Sequence, residues 1–311
     1  MREDNFKIYI NDQHTIHGRI WLPEDCSPKA ILVIVHGMTE HSYRYKELAG
    51  VLTSEGIAVT GFDLPGHGKN LNHSNCAAFG PDGWKLALDD IRDFSAFLQD
   101  KYTNVPFYIL GFSLGSFLLR EYLNKYKHDF SGAIIAGTGY QPAVILSVMT
   151  AIVKSQIKSY GFDETTPLVK QLSFETYNSK FKPNQTDFDW LCSDEIELQK
   201  YIQDPLCADS ISAGLFWQLL CAMKYTGSKQ AYKNWNRKMP ILLISGENDP
   251  VGDFGKGVHK TAKEMKKSGI IQVDLHLLSG ARHDIFHESA LGCSMQAADL
   301  IKTWIKHISI L

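Results

Sequence analysis

Several marks of common protein classes are missing from this chain. Its six cysteines, at positions 26, 76, 192, 207, 221 and 293, form no Cys-x-x-Cys pair, and no histidine pair at zinc-ligand spacing accompanies them. A disulfide framework and a structural zinc site are therefore not expected; scattered thiols of this kind predict reduced cysteines, most of them core fillers, in a reducing compartment. Neither sign of charge dominates, since 32 Lys and Arg face 34 Asp and Glu, and no run of like charge is long enough for a nucleic-acid arm or an acidic tail. Long apolar runs are also lacking: Ala30 to Val35, the longest near the start, falls far short of the roughly 20 residues that span a bilayer. The opening Met1-Arg2-Glu3-Asp4-Asn5 carries acids and leads into an alternating Phe6 to Ile10, unlike the apolar core of a signal peptide. A soluble, cytoplasmic protein is the expectation, without internal repeat or low-complexity tract.

What is present is enough apolar residue for a large core. At 311 residues and 44% hydrophobic, the chain suits one large α/β domain or such a domain with an insertion. Phe6 to Ile10 and Thr15 to Leu22 alternate, and the turn-rich Asn11-Asp12-Gln13-His14 between them predicts an antiparallel hairpin. Continuous apolar runs at Ala30 to Val35, Ile57 to Phe62, Phe107 to Leu110, Ala133 to Ala136 and Ile241 to Ile244 predict strands buried on both faces of a parallel sheet. Helical stripes fall between them, at Trp84, Leu88, Ile91, Phe94 and Leu98, and at Met295, Ala298, Ile301 and Ile305 near the end. The fold class is therefore α/β, a mostly parallel sheet with helices on both faces. From Tyr140 to Lys238 the alternation stops, and helical patterns at Val144 to Ile157 and Ile211 to Tyr225 predict a mostly helical cap inserted as 140–238 into a core of 1–139 and 239–311.

One strand end carries a chemical signal. Ile109 to Ser116 runs a short apolar strand into Gly111-x-Ser113-x-Gly115 and then into a helical pattern. A serine hydroxyl needs such a sharp, exposed turn to act as a nucleophile, and glycines two residues either side leave room for it. A nucleophile requires a base, an acid that orients the base, and donors for an oxyanion. In the order serine, acid, histidine, Asp249 follows the strand Ile241 to Ile244, with Pro250 stiffening the loop and Asp253 as the rival acid. His283 follows the expected last strand, Gln272 to Leu278; His276 within that strand and His287, expected to begin the closing helix, are the alternatives. At the end of the first buried strand, His36-Gly37-Met38 offers the Met38 amide as one oxyanion donor, with the Leu114 amide as the second. Asp63-Leu64-Pro65-Gly66-His67-Gly68 is expected to be a structural turn bracing the site. The polar groups of Glu40-His41-Ser42-x-Arg44-Tyr45 either line the pocket or cap a helix starting near Tyr43.

Together these motifs, with Phe188-Asp189-Trp190-Leu191-Cys192-Ser193-Asp194 and Asp204-Pro205-Leu206 in the cap, resemble the family of monoacylglycerol lipases and bacterial lysophospholipases. The resemblance covers nearly the whole chain and implies the α/β-hydrolase fold, with Ser113, Asp249 and His283 as triad and the Met38 and Leu114 amides as oxyanion hole. Ser116 departs from it, standing where many relatives carry a second glycine.

The expected chemistry is hydrolysis of a carboxylic ester through an acyl-enzyme, with no metal or organic cofactor. The expected substrate is a small-molecule or lipid ester, most simply a monoacylglycerol or lysophospholipid. Apolar stripes in the cap, Val144, Val148, Ile152 and Val153, and Leu215, Phe216, Leu219, Leu220 and Met223, with Phe174, Tyr177, Phe181, Trp190 and Trp217, are expected mostly to pack the cap. The remainder would line an acyl-chain slot or touch a membrane surface transiently. Thioester or amide hydrolysis, and a non-catalytic receptor on the same fold, are alternatives; the amide reading would use acids such as Asp187, Asp189, Asp194, Glu195 and Glu197 to hold a substrate amine.

Overall fold

In the computed structural model, which describes residues 1–12, 14–71 and 75–310, the chain builds an eight-stranded sheet in the order β1-β2-β4-β3-β6-β7-β9-β10. The strands are β1 (Arg2–Asn11), β2 (His14–Leu22), β3 (Ala30–Val35), β4 (Ile57–Phe62), β6 (Phe107–Phe112), β7 (Gly132–Ala136), β9 (Ile241–Gly246) and β10 (Val273–Leu278), with the two-residue β5 (Cys76–Ala77) and β8 (Ser210–Ile211) forming a separate pair. The β1–β2 and β2–β4 pairings are antiparallel and all others in the large sheet are parallel. The hairpin therefore forms as predicted, though Gln13 of its turn lies outside the described residues. The β5–β8 pair is a correction to the strand-free reading of 140–238: Cys76–Ala77 reaches across and pairs in parallel with Ser210–Ile211.

The helices are α1 (Lys46–Thr53), α2 (Gly83–Lys101), α3 (Leu114–Lys125), α4 (Ala143–Tyr160), α5 (Pro167–Lys170), α6 (Thr176–Asn178), α7 (Glu195–Gln203), α8 (Ala213–Thr226), α9 (Lys256–Lys267) and α10 (Cys293–Ile310). Side-chain alternation along β3 shows how the sheet divides the core. Ile31, Val33 and Val35 belong to the same core cluster as residues of α2, α3 and α9, while Ala30, Leu32 and Ile34 belong to the cluster with α1 and α10. No helix among the described residues is long and apolar enough to cross a membrane. All six cysteines are free, and Cys76, Cys192, Cys207 and Cys293 are buried.

Several local expectations change. Tyr43 lies in a 3-10 turn, Ser42–Tyr45, and α1 begins only at Lys46. His287 precedes α10 by a loop, because Gly292, with φ of 66°, breaks the backbone just before the helix starts at Cys293. Met295 is exposed, and the buried stripe of α10 runs through Cys293, Ala297, Ala298, Ile301, Trp304 and Ile305 instead. In α8 the predicted apolar residues are buried, but in α4 only Val153 of the predicted stripe is; Val144, Val148 and Ile152 face outward.

Strand order fixes where a site can form. From β3 the chain steps to β4 on one side and, after α2, returns to β6 on the other, so the carboxyl ends of β3 and β6 flank a topological switch point. Those two ends carry Gly37-Met38 and Ser113.

Candidate active site

Ser113 sits between β6 and α3 with φ of 51° and ψ of −115°, a strained backbone that costs about 1–3 kcal/mol and persists only where its surroundings enforce it. Two close approaches do so. A Cβ at Gly111 would lie 2.4 Å from the Gly115 carbonyl oxygen, and one at Gly115 would lie 2.1 Å from that of Val35. The glycines thus let α3 press against β3, which brings Met38 beside Ser113. Ser116 suits this turn: its amide and its hydroxyl both donate to the Ser113 carbonyl, at 2.8 Å and 2.6 Å.

The three predicted side chains meet. His283 Nε2 is 2.8 Å from Ser113 Oγ, and His283 Nδ1 is 2.9 Å from Asp249 Oδ1. Asp249 is held on both oxygens, Oδ1 accepting from the Val251 amide at 2.8 Å and Oδ2 from the Ser245 hydroxyl at 3.0 Å. Both Asp249 and His283 are buried. The rivals lie elsewhere: Asp253 and His276 are exposed, and His287 bonds to Asp284 and to the Arg44 carbonyl.

Leu114 is the first residue of α3, so its amide has no intrahelical acceptor. Met38 follows Gly37, whose own amide is taken by Glu40 Oε1 at 2.6 Å. Ser113, Leu114 and Met38 line one cavity of about 240 Å³. Its other walls are mainly apolar, with Phe117, Met149, Leu172, Phe216, Leu220 and Met223 among them, and no Asp, Glu, Lys, Arg or His lines it among the described residues. A second recess, about 20 Å³, also touches Ser113 and His283 and has polar walls at Thr39, Glu40, Tyr201 and Asp284.

Behind the site the polar motifs brace one another. Asp63 Oδ1 accepts from the amide and hydroxyl of Ser42, and Oδ2 from the Lys69 amide. Glu40 takes the Tyr45 hydroxyl at 2.8 Å and Arg44 at 3.1 Å, and Arg44 continues to Asp284 at 2.7 Å. The Glu40 to Tyr45 motif therefore ties β3 to the His283 loop, and His41 offers no side-chain cap to the turn that follows. Burial would raise the Asp284 carboxyl, but His287 and the Arg44 guanidinium, both bonded to it, hold it below the ordinary range. Asp284 and Glu288 carried no sequence signal, since charged residues in a loop usually face solvent.

His36 and His67 are buried in neutral form. Burial lowers His36 to about 4; its Nε2 accepts from the Leu64 amide at 3.0 Å while Nδ1 donates to the Gly37 carbonyl at 2.7 Å. Burial likewise lowers His67 to about 3, with Nδ1 donating to the Pro65 carbonyl. Both folded values lie below the ordinary 6.5, so the unfolded chain binds more protons below that pH. Their contribution is complete above about pH 6.5 and is lost as pH falls toward 4, at about 1.4 kcal/mol per pH unit for each histidine. Thermal melts followed by circular dichroism should show a falling midpoint from pH 6.5 to pH 4.5, and His36→Gln should flatten that slope.

Comparison with known proteins agrees with this geometry. A model of the family described as serine aminopeptidase, S33, matches residues 26–290. An uncharacterised abhydrolase domain-containing protein of Dictyostelium discoideum is 31% identical over 78% of this chain, though the match covers only 23% of that longer relative. The monoglyceride lipase of Rattus norvegicus is 25% identical, with 95% of this chain and 88% of the relative covered. Among solved structures, a thermostable carboxyl esterase from Bacillus coagulans superposes with a TM-score of 0.89 at 23% identity, over 99% of both chains; this likeness is one of fold, the α/β-hydrolase fold.

Proposed function

The chain belongs to the serine aminopeptidase S33 family, and from that premise we propose that it hydrolyses carboxylic esters, its substrate a lipid monoester with one medium or long acyl chain. The observation that carries this reading is the cavity beside Ser113, mainly apolar along its walls and lined by the serine itself. At about 240 Å³ it falls below the roughly 300–1,000 Å³ of drug-sized ligand sites, which suits a single acyl chain. The monoglyceride lipase named among the relatives fits the same chemistry.

The distances support a two-step acyl transfer. His283 Nε2 removes the Ser113 proton as Oγ attacks the ester carbonyl, and Asp249 holds the imidazole tautomer and balances the imidazolium. The Met38 and Leu114 amides receive the developing oxyanion. The imidazolium then protonates the leaving alcohol, and a water activated by the same nitrogen releases the acid.

Residues 140–238 act in this reading as a cap on the core of 1–139 and 239–311, supplying most of the acyl cavity. The outward α4 face, where Val144, Ile145 and Val148 are exposed, would touch the lipid surface from which the substrate comes. The amide reading is weaker because four of its five acids are engaged: Asp189 accepts from the Gln185 and Thr186 amides, Asp194 caps α7, Glu197 pairs with Lys200 and Asp187 with Lys170. A panel of p-nitrophenyl esters tests the assignment. Each methylene buried contributes about 0.8 kcal/mol, so kcat/KM should rise roughly four-fold per carbon from acetate until the cavity is filled. Met223→Trp should shorten the optimum, and a panel that peaks at acetate contradicts the acyl-slot reading.

A further inference from the structure

The segment Asp189–Ser193 does more than roof the cavity. It runs against the loop that carries His283, and main-chain bonds join the two: the Asp284 amide donates to the Leu191 carbonyl at 2.7 Å and the His283 amide to that of Trp190 at 3.4 Å. Arg282 Nη1 donates to the carbonyls of Asp189 and Cys192. Glu288, fully buried, closes the junction, with Oε1 accepting from the Ser193 amide at 2.7 Å and the Ser193 hydroxyl, and Oε2 from the Arg282 amide at 2.9 Å. At its other end the segment is held by Asn178 Oδ1, which accepts from the Trp190 amide at 3.1 Å.

This strap places the Trp190 indole on His283, with ring centroids 5.1 Å apart and 28° between planes. Phe112 lies within 5.0 Å of the same imidazole. The two hydrogen bonds at Nδ1 and Nε2 define an axis through the imidazole but leave it free to tip about that axis. Aromatic contacts remove this freedom. An indole face also attracts cationic rings, and His283 gains a proton as Ser113 attacks, so the contact strengthens toward the transition state.

We propose that Trp190, held by the Glu288-locked strap, is a positioning residue for the base: it fixes the imidazole tilt and steadies the imidazolium. This rests on the serine-hydrolase reading above. The consequence for dynamics is that 189–193 stays with the core, and any opening of the cap hinges outside it.

Trp190 also lines the acyl cavity, so the experiment must separate positioning from substrate contact. Trp190→Leu and Trp190→Phe are compared with wild type on p-nitrophenyl acetate and octanoate, with kcat expressed per site titrated by a fluorophosphonate. Trp190→Leu should lose about ten- to thirty-fold in kcat, by the same factor on both esters, and Trp190→Phe should recover most of it. Glu288→Gln, outside the cavity, should lower kcat on both esters with KM little changed. A loss confined to octanoate, or a kcat per titrated site equal to wild type in both Trp190→Leu and Glu288→Gln, overturns the proposal. Wild-type protein that takes up no fluorophosphonate would instead defeat the hydrolase reading beneath it.

Discussion

Ser113→Ala should reduce ester turnover by about 10⁵- to 10⁶-fold while leaving the fold intact. The size follows from the removal of the attacking atom: what survives is the residual catalysis of the amide donors and binding, since triad members act as a unit. Folding should be indifferent or slightly improved. Ser113 Oγ is held by His283 alone among the described bonds of the site, and alanine at the elbow keeps the same left-handed backbone, strained as before. Circular dichroism and a thermal melt establish the fold, and p-nitrophenyl octanoate hydrolysis at saturating substrate establishes the loss. A variant within tenfold of wild type would remove Ser113 from the chemistry.

Asp249→Asn should be the next most damaging change, at about 10⁴-fold in kcat. The carboxylate has no proton to offer, so it forces His283 to carry its proton on Nδ1 and leaves Nε2 as the acceptor facing Ser113. An asparagine amide has a donor on one side. Oδ1, which faces His283 Nδ1, also accepts from the Val251 amide, so the asparagine oxygen stays there and the NH₂ turns toward the Ser245 hydroxyl, which can rotate to accept. The imidazole keeps its tautomer but loses the negative charge that balances the imidazolium as it forms, and acylation slows for that reason. Stopped-flow acylation with p-nitrophenyl esters measures this step directly. Near-normal acylation would contradict the assignment and return the exposed Asp253 to consideration.

Much of this arrangement was legible in the order of strand ends. Gly111-x-Ser113-x-Gly115 has a local cause that sequence displays, because a Cβ at Gly115 would collide with the Val35 carbonyl. Asp249 and His283 were legible because parallel strands deliver side chains at their carboxyl ends: β9 reads as an apolar run and Gln272 to Leu278 as the last strand, each followed by a turn. The parts that escaped depend on contacts far apart in sequence. Trp190 was grouped with the residues that pack the cap or line the acyl slot, and its position on His283 is set by Glu288 and Arg282, nearly a hundred residues away. The exposure of Val144 and Val148 escaped for the opposite reason. Periodicity identifies an apolar face, but it does not say whether protein, lipid or water lies against it.

The most direct test is the site of covalent capture. Purified protein is incubated with a fluorophosphonate, and the adduct is located by peptide mass spectrometry, with Ser113→Ala alongside. The account predicts one adduct per chain, on Ser113, absent from the variant and formed more slowly when a medium-chain ester competes. An adduct on another residue, or ester turnover in a protein whose Ser113 stays unmodified, would contradict it.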